Sequence, residues 1–160
     1  MPAQFYRTET FRARTGVGYL LKAAHLAIAD HLASAVAPYE LTFVQAVTLL
    51  HLRDGEAVNA AMLCERLRYD SGALTRVIDQ LEERGWLERQ RSAVDRRAVE
   101  LSLTPAGRAR IDAVVPAVVE RLNLLLKDFT RQEVADLTRL LLKLIASAES
   151  PQLADAGVRS

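Results

Sequence analysis

One cysteine, Cys64, is all the chain has, so no internal disulfide can form. A reducing compartment and a structural thiol beside an apolar helix stripe are the expectation. No uninterrupted apolar run approaches the ~20 residues that cross a bilayer, so no membrane partner is expected. The opening residues, MPAQFYRTETFRAR, hold no apolar signal core, which predicts a cytoplasmic protein. Three histidines (His25, His31, His51) and the lone cysteine show no metal-ligand spacing, and His25 and His31, six apart, do not share a helix face. A glycine-rich phosphate loop and a nucleophile motif are also missing. Neither an enzyme nor a bound metal or cofactor is therefore expected. Lysine is scarce, three against eighteen arginines, but that bias runs through the whole chain and carries no functional weight.

What is present is ordinary in amount and uneven in placement. At 160 residues, with 50% hydrophobic and 26% charged side chains, the chain can build one core of modest size. Its net charge is only +1, yet the fourteen residues from Arg84 to Arg97 hold five arginines (Arg84, Arg89, Arg91, Arg96, Arg97) against Glu88 and Asp95. Positive charge is gathered here.

The punctuation predicts six helices and one hairpin. A first helix spans about Gly18 to Ala35, before Pro38. Thr42 and Gln45 make a capping box that opens a second helix, stopped by Asp54-Gly55. Asn59 caps a short third helix with Ala60, Leu63 and Leu67 as its apolar stripe. Asp70 or Ser71 caps a fourth, ending at Gly85. Trp86 to Arg91 and Ala98 to Leu103 read as paired strands, with Val99, Leu101 and Leu103 on the half-buried side. Thr104-Pro105 starts a fifth helix running to about Lys127, with a kink expected at Pro116. Thr130 and Glu133 form a second capping box, opening a sixth helix to about Ala148. A frayed tail follows from Ser150.

In the fourth helix, Leu74, Val77, Ile78 and Leu81 fall on one face, a buried stripe. Gly72, Thr75, Arg76 and Asp79 fall opposite, where short or hydrogen-bonding side chains let a base edge approach. A helix followed by an arginine-tipped hairpin suits one groove of DNA and its neighbour. The expected fold is therefore mainly α, a winged helix-turn-helix with a small β-hairpin wing.

The words of the sequence agree. Leu81-Glu82-Glu83-Arg84-Gly85-Trp86, then Asp95-Arg96-Arg97, then Leu103-Thr104-Pro105-Ala106-Gly107 resemble the core of the MarR family of bacterial transcriptional regulators, as does Leu41 to Gln45 at the second helix. The resemblance covers about Leu20 to Ala148. Gly72-Ala73 departs from the family pattern by leaving few long side chains at the start of the recognition helix.

The resemblance implies that the N- and C-terminal helices form a dimerisation region, in a repressor that binds a pseudo-palindromic operator as a homodimer and is released by a small aromatic, anionic effector. The alternative is a winged-helix module that contacts protein without operator binding. The expected division is residues 1–40 as an N-terminal dimerisation region, 41–107 as the winged domain, 108–149 as C-terminal dimerisation helices and 150–160 as tail. Expected DNA contacts are Ser71 and Gly72 through the helix N-terminus, Thr75 and Arg76 as base readers, and the arginines Arg84 and Arg91. The family implies that Arg96 and Arg97 reach a minor groove while Asp95 orients an arginine. A leucine stripe too wide for a monomer gives Leu122, Leu137, Leu141 and Leu144 as dimer contacts, joined by Phe5, Tyr6 and Phe11. Lys22, His25 and Phe43 are the candidates for holding a small aromatic acid.

Overall fold

The computed structural model describes residues 5–91 and 99–150. The chain forms two compact units, Met1–Leu122 and Asn123–Ser160. In the first, helix α1 spans Val17–Val36, α2 Phe43–Arg53, α3 Ala60–Leu67 and α4 Ser71–Glu83. Strands β1 (Leu87–Arg91) and β2 (Val99–Leu103) and helix α5 (Pro105–Leu125) follow, and α6 (Arg131–Ala148) belongs to the second unit. Short 3-10 turns at Ala13–Thr15 and Ala37–Tyr39 flank α1.

Helix starts follow the capping chemistry. Thr42 accepts from the Gln45 amide at 3.3 Å, and Gln45 Oε1 accepts from the Thr42 amide at 2.9 Å. Asn59 accepts from Met62 N, and Asp70 rather than Ser71 caps α4 by accepting from Ala73 N at 2.9 Å. The Thr130–Glu133 box is complete in the same way, and Glu133 is held below its ordinary carboxylate value chiefly by the Thr130 backbone amide. Helix α5 runs through Pro116 without interruption.

The core of the first unit gathers side chains from α1 to α5 and both strands: Val36, Leu41, Leu49, Leu63, the α4 set Leu74, Val77, Ile78 and Leu81, then Leu87, Leu101, Ile111 and Val114. Each large side chain buried this completely contributes about 1.5–3 kcal/mol against leaving it in water. Cys64 is half-buried against this cluster. Arg53 donates to Asp54 at 2.7 Å and lies 3.5 Å from Asp112, joining the end of α2 to α5.

The strands pair antiparallel, from Leu87 opposite Leu103 to Arg91 opposite Val99. Burial along β2 corrects the expected alternation. Leu101 is buried and Leu103 half-buried, but Val99 is exposed, at the end of the ladder farthest from the Leu87–Leu103 pair. The ladder is tied at its middle by Leu101 N, which donates to Val58 O in the α2–α3 connection at 2.8 Å.

Val17–Tyr39 is, among the described residues, long and apolar enough by length and composition to cross a membrane, although charges at Lys22 and Asp30 interrupt the run. Its last turns, at Leu32, Ala35 and Val36, are instead buried within the protomer.

Candidate nucleic-acid interface

Helix α4 is oriented by its two faces. Leu74, Ile78 and Leu81 are fully buried, so the opposite side must face out, and Ser71, Gly72, Thr75 and Arg76 are all exposed there. The structure brings these four expected contacts together. Thr75 donates its hydroxyl hydrogen to Ser71 O at 2.8 Å, leaving its methyl group and oxygen lone pairs for a partner. Among the described residues, Arg76 has no carboxylate partner. Towards its C-terminal end, α4 is tied to α2 by a part-buried contact that the sequence reading missed. Gln45 Nε2 donates to Gln80 Oε1 at 2.9 Å while its Oε1 completes the capping box, and Gln45 is only 3% exposed. One amide thus serves both the start of α2 and the setting of α4.

The end of α4 leads into the hairpin through Gly85. Its φ of +67° is left-handed, which glycine adopts without strain. Gly85 N donates to Glu82 O and Trp86 N to Leu81 O, closing the last turn. Trp86 then lies between two guanidinium groups, Arg84 at 5.0 Å and Arg110 at 4.8 Å from the ring centroid. Both reach the same stretch of backbone beyond α1: Arg84 donates to Glu40 O at 2.5 Å and Arg110 to Tyr39 O at 3.4 Å. Arg84, an expected DNA contact, is exposed and makes these contacts at the C-terminal end of α4.

Arg89, in the middle of β1, is also engaged. Its guanidinium donates to Asp79 Oδ1 at 2.5 Å and to Glu82 Oε2, so the Asp79 expected on the open face of α4 is turned to the wing. The Asp79 hydrogen bond is the main cause that raises Arg89 above the ordinary arginine value. Of the three arginines described in the rich stretch, Arg91 is exposed and has no such partner among the described residues. Asp95, Arg96 and Arg97 lie outside the described residues.

The remaining candidates separate. Lys22 and His25 are exposed on α1, whereas Phe43 is half-buried at the start of α2. Phe5, Tyr6 and Phe11 are exposed; the Tyr6 and Phe11 rings meet edge-to-face at 5.6 Å, and Tyr6 Oη accepts from Val17 N at 3.0 Å. Leu137 and Leu144 are exposed, Leu122 and Leu141 half-buried, and α6 buries no residue. Tyr19, Leu20, Leu21, Leu26 and Ile28, also exposed on α1, extend the apolar surface beyond the residues the sequence singled out. The missed signal was a helix apolar around much of its circumference, which a monomer of this size does not cover.

Comparison with known proteins agrees with this geometry. A family model described as MarR family matches residues 39–98. The multiple antibiotic resistance protein MarR of Escherichia coli is 34% identical over 111 residues, covering 69% of this chain and 77% of that protein. The regulator SarZ of Staphylococcus aureus is 35% identical over 71 residues, 44% of this chain and 48% of SarZ. Among solved structures, an E. coli MarR variant complexed with operator DNA superposes with a TM-score of 0.72 at 31% identity, over 80% of this chain and 92% of that one. Bordetella bronchiseptica BpsR, whose DNA binding is regulated by 6-hydroxynicotinic acid, gives 0.75 at 27% identity, over 84% and 96%. With its helix order, its hairpin and a relative of this identity and coverage, the chain belongs to the MarR family of transcriptional regulators.

Proposed function

We propose that the chain is a cytoplasmic repressor that binds a two-fold symmetric DNA site as a homodimer, α4 entering the major groove and the wing the adjacent minor groove. The observation that carries this reading is the exposed Ser71, Gly72, Thr75 and Arg76 face of α4, with Arg76 unpaired among the described residues. E. coli MarR, a relative over most of its length, has been captured on operator DNA, which supports the same partner here. Arg76 is the base reader, able to pair bidentately with guanine, and Thr75 offers its methyl group to thymine. Arg76→Ala should cost about 1–3 kcal/mol in DNA affinity and relax preference at one base pair per half-site. Anisotropy titrations on duplexes selected by the native protein measure both; unchanged affinity and preference would remove Arg76 from the interface.

Residues 41–107 are the DNA-binding part of this reading, and residues 1–40 and 108–149 the dimerisation parts. The exposed apolar surface of Phe5, Tyr6, Phe11 and the N-terminal half of α1, and separately the leucines of α6, give each end of the chain something to bury against a second copy.

Release by a small aromatic acid completes the reading. BpsR responds to such a molecule, and Lys22 and His25, exposed one turn apart on α1, are the carboxylate contacts proposed here. The effector acts only through a difference in affinity for the DNA-competent and incompetent dimers. In a thermal-shift panel of aromatic carboxylates, the native protein should gain stability with at least one, and Lys22→Ala should lose most of that gain. Equal shifts for both proteins would put the site elsewhere.

A further inference from the structure

Two anchors fix the described part of the wing to the body of the domain, one on each strand. On β2 it is the Leu101 N to Val58 O hydrogen bond, at the rung where Leu101 pairs with Arg89. On β1 it is Arg89, whose guanidinium spans two carboxylates on α4, Asp79 through Nη2 at 2.5 Å and Glu82 through Nη1. The neighbours of Arg89 make no such tie, since Glu88 accepts from Gln90 and from Ser102, within the hairpin itself. A two-stranded ribbon is a marginal structure on its own, so its direction depends on such ties. The planar fork of arginine holds its two carboxylate partners in a fixed geometry, whereas a lysine ammonium is a point charge on a flexible stem.

We infer that Arg89 is a positioning residue for DNA recognition, one that sets the angle between wing and α4 without itself contacting DNA. The inference rests on the DNA-binding reading above. A duplex presents its major and minor grooves at a fixed separation, so helix and hairpin can occupy neighbouring grooves only if their mutual angle is held before contact. Asp79 and Glu82 explain themselves on the same basis. Carboxylates beside a DNA-facing helix repel phosphate, and their presence is reasonable where an arginine of the wing is latched to them.

The competing role for Arg89 is a direct phosphate contact, held by the two acids until DNA arrives. The two roles predict opposite signs for one variant. Asp79→Asn combined with Glu82→Gln keeps every arginine and removes two negative charges, so a freed, DNA-contacting Arg89 would tighten binding. A positioning Arg89 makes the same protein bind about tenfold more weakly. Its hydroxyl-radical footprint should lose protection in the flanking minor grooves while central major-groove protection persists. Arg89→Gln should show the same footprint, and combining all three substitutions should cost little more than either change alone. Arg89→Lys should recover only part of the flanking protection and serves if the glutamine variant folds poorly. Thermal melts monitor folding, but a loss confined to the flanks is not what general destabilisation gives. Equal or tighter binding by the Asp79→Asn, Glu82→Gln protein, or additive losses on combination, overturns the positioning role while DNA binding by the native chain stands. A native chain that retains no duplex overturns the DNA reading and this inference with it.

Discussion

Gly107→Ala is expected to lower Tm by about 10 °C, corresponding to a loss of at least ~3 kcal/mol for a chain of this size. A Cβ at position 107 would stand 1.8 Å from Trp86 O, 2.6 Å from Trp86 C and 3.0 Å from its Cα. All three are backbone atoms, so no rotamer change relieves the overlap. The close approach is held from several sides. Thr104 N donates to Trp86 O at 3.2 Å, its hydroxyl donates to Gly85 O at 2.6 Å, and the same hydroxyl oxygen accepts from Gly107 N at 3.0 Å. The first turn of α5 therefore lies directly on the turn that joins α4 to β1. Adding one methyl group must push these apart, which moves the recognition helix and the wing root together. Melting followed by circular dichroism checks the stability change. A Tm within about 2 °C of native would mean that α5 is not seated on this turn.

Reversing charge at the wing, Arg96→Glu with Arg97→Glu, is expected to weaken DNA binding by about 100-fold or more at moderate salt, with little change in Tm. The reason lies in how the other arginines are engaged. Arg84 is held by Glu40 O and the Trp86 ring, and Arg89 by Asp79 and Glu82, so neither is available to compensate. In the proposed reading, DNA contact by this stretch therefore falls to Arg91, Arg96 and Arg97. The dependence of affinity on salt should also become shallower, because fewer counterions are released on binding. Anisotropy titrations at several salt concentrations measure both quantities; an affinity within threefold of native (about 0.6 kcal/mol) would assign the wing no part in recognition.

Much of the fold could be read locally. The stripe Leu74, Val77, Ile78 and Leu81 is core because helical periodicity and burial are the same fact seen twice. Thr42–Gln45, Asn59 and Thr130–Glu133 cap as their spacing requires, since a cap involves atoms only three residues apart. What could not be read depends on distant partners. Arg84 meets a carbonyl 44 positions away, and Gln45 meets Gln80 across 35, so neither spacing nor charge announces them. In the sequence Arg89 is one more cation in a basic cluster; only the packing of β1 on α4 shows that its charge is matched internally. Val99 fits the strand alternation yet stays exposed, because alternation does not tell which rungs of the hairpin are buried. The glycine of Leu103-Thr104-Pro105-Ala106-Gly107 is visible as a motif, but its reason, a backbone carbonyl where a side chain would begin, is not.

Selection of duplexes from a randomised pool by the native chain, followed by footprinting of the enriched sequence, decides whether two copies read one symmetric site. The expected product is an inverted repeat whose half-sites are centred about one helical turn, ~10 base pairs, apart, with binding that falls steeply between about 50 and 200 mM salt. No enrichment at low salt, or a single unsymmetric half-site protected by one protomer, would contradict it.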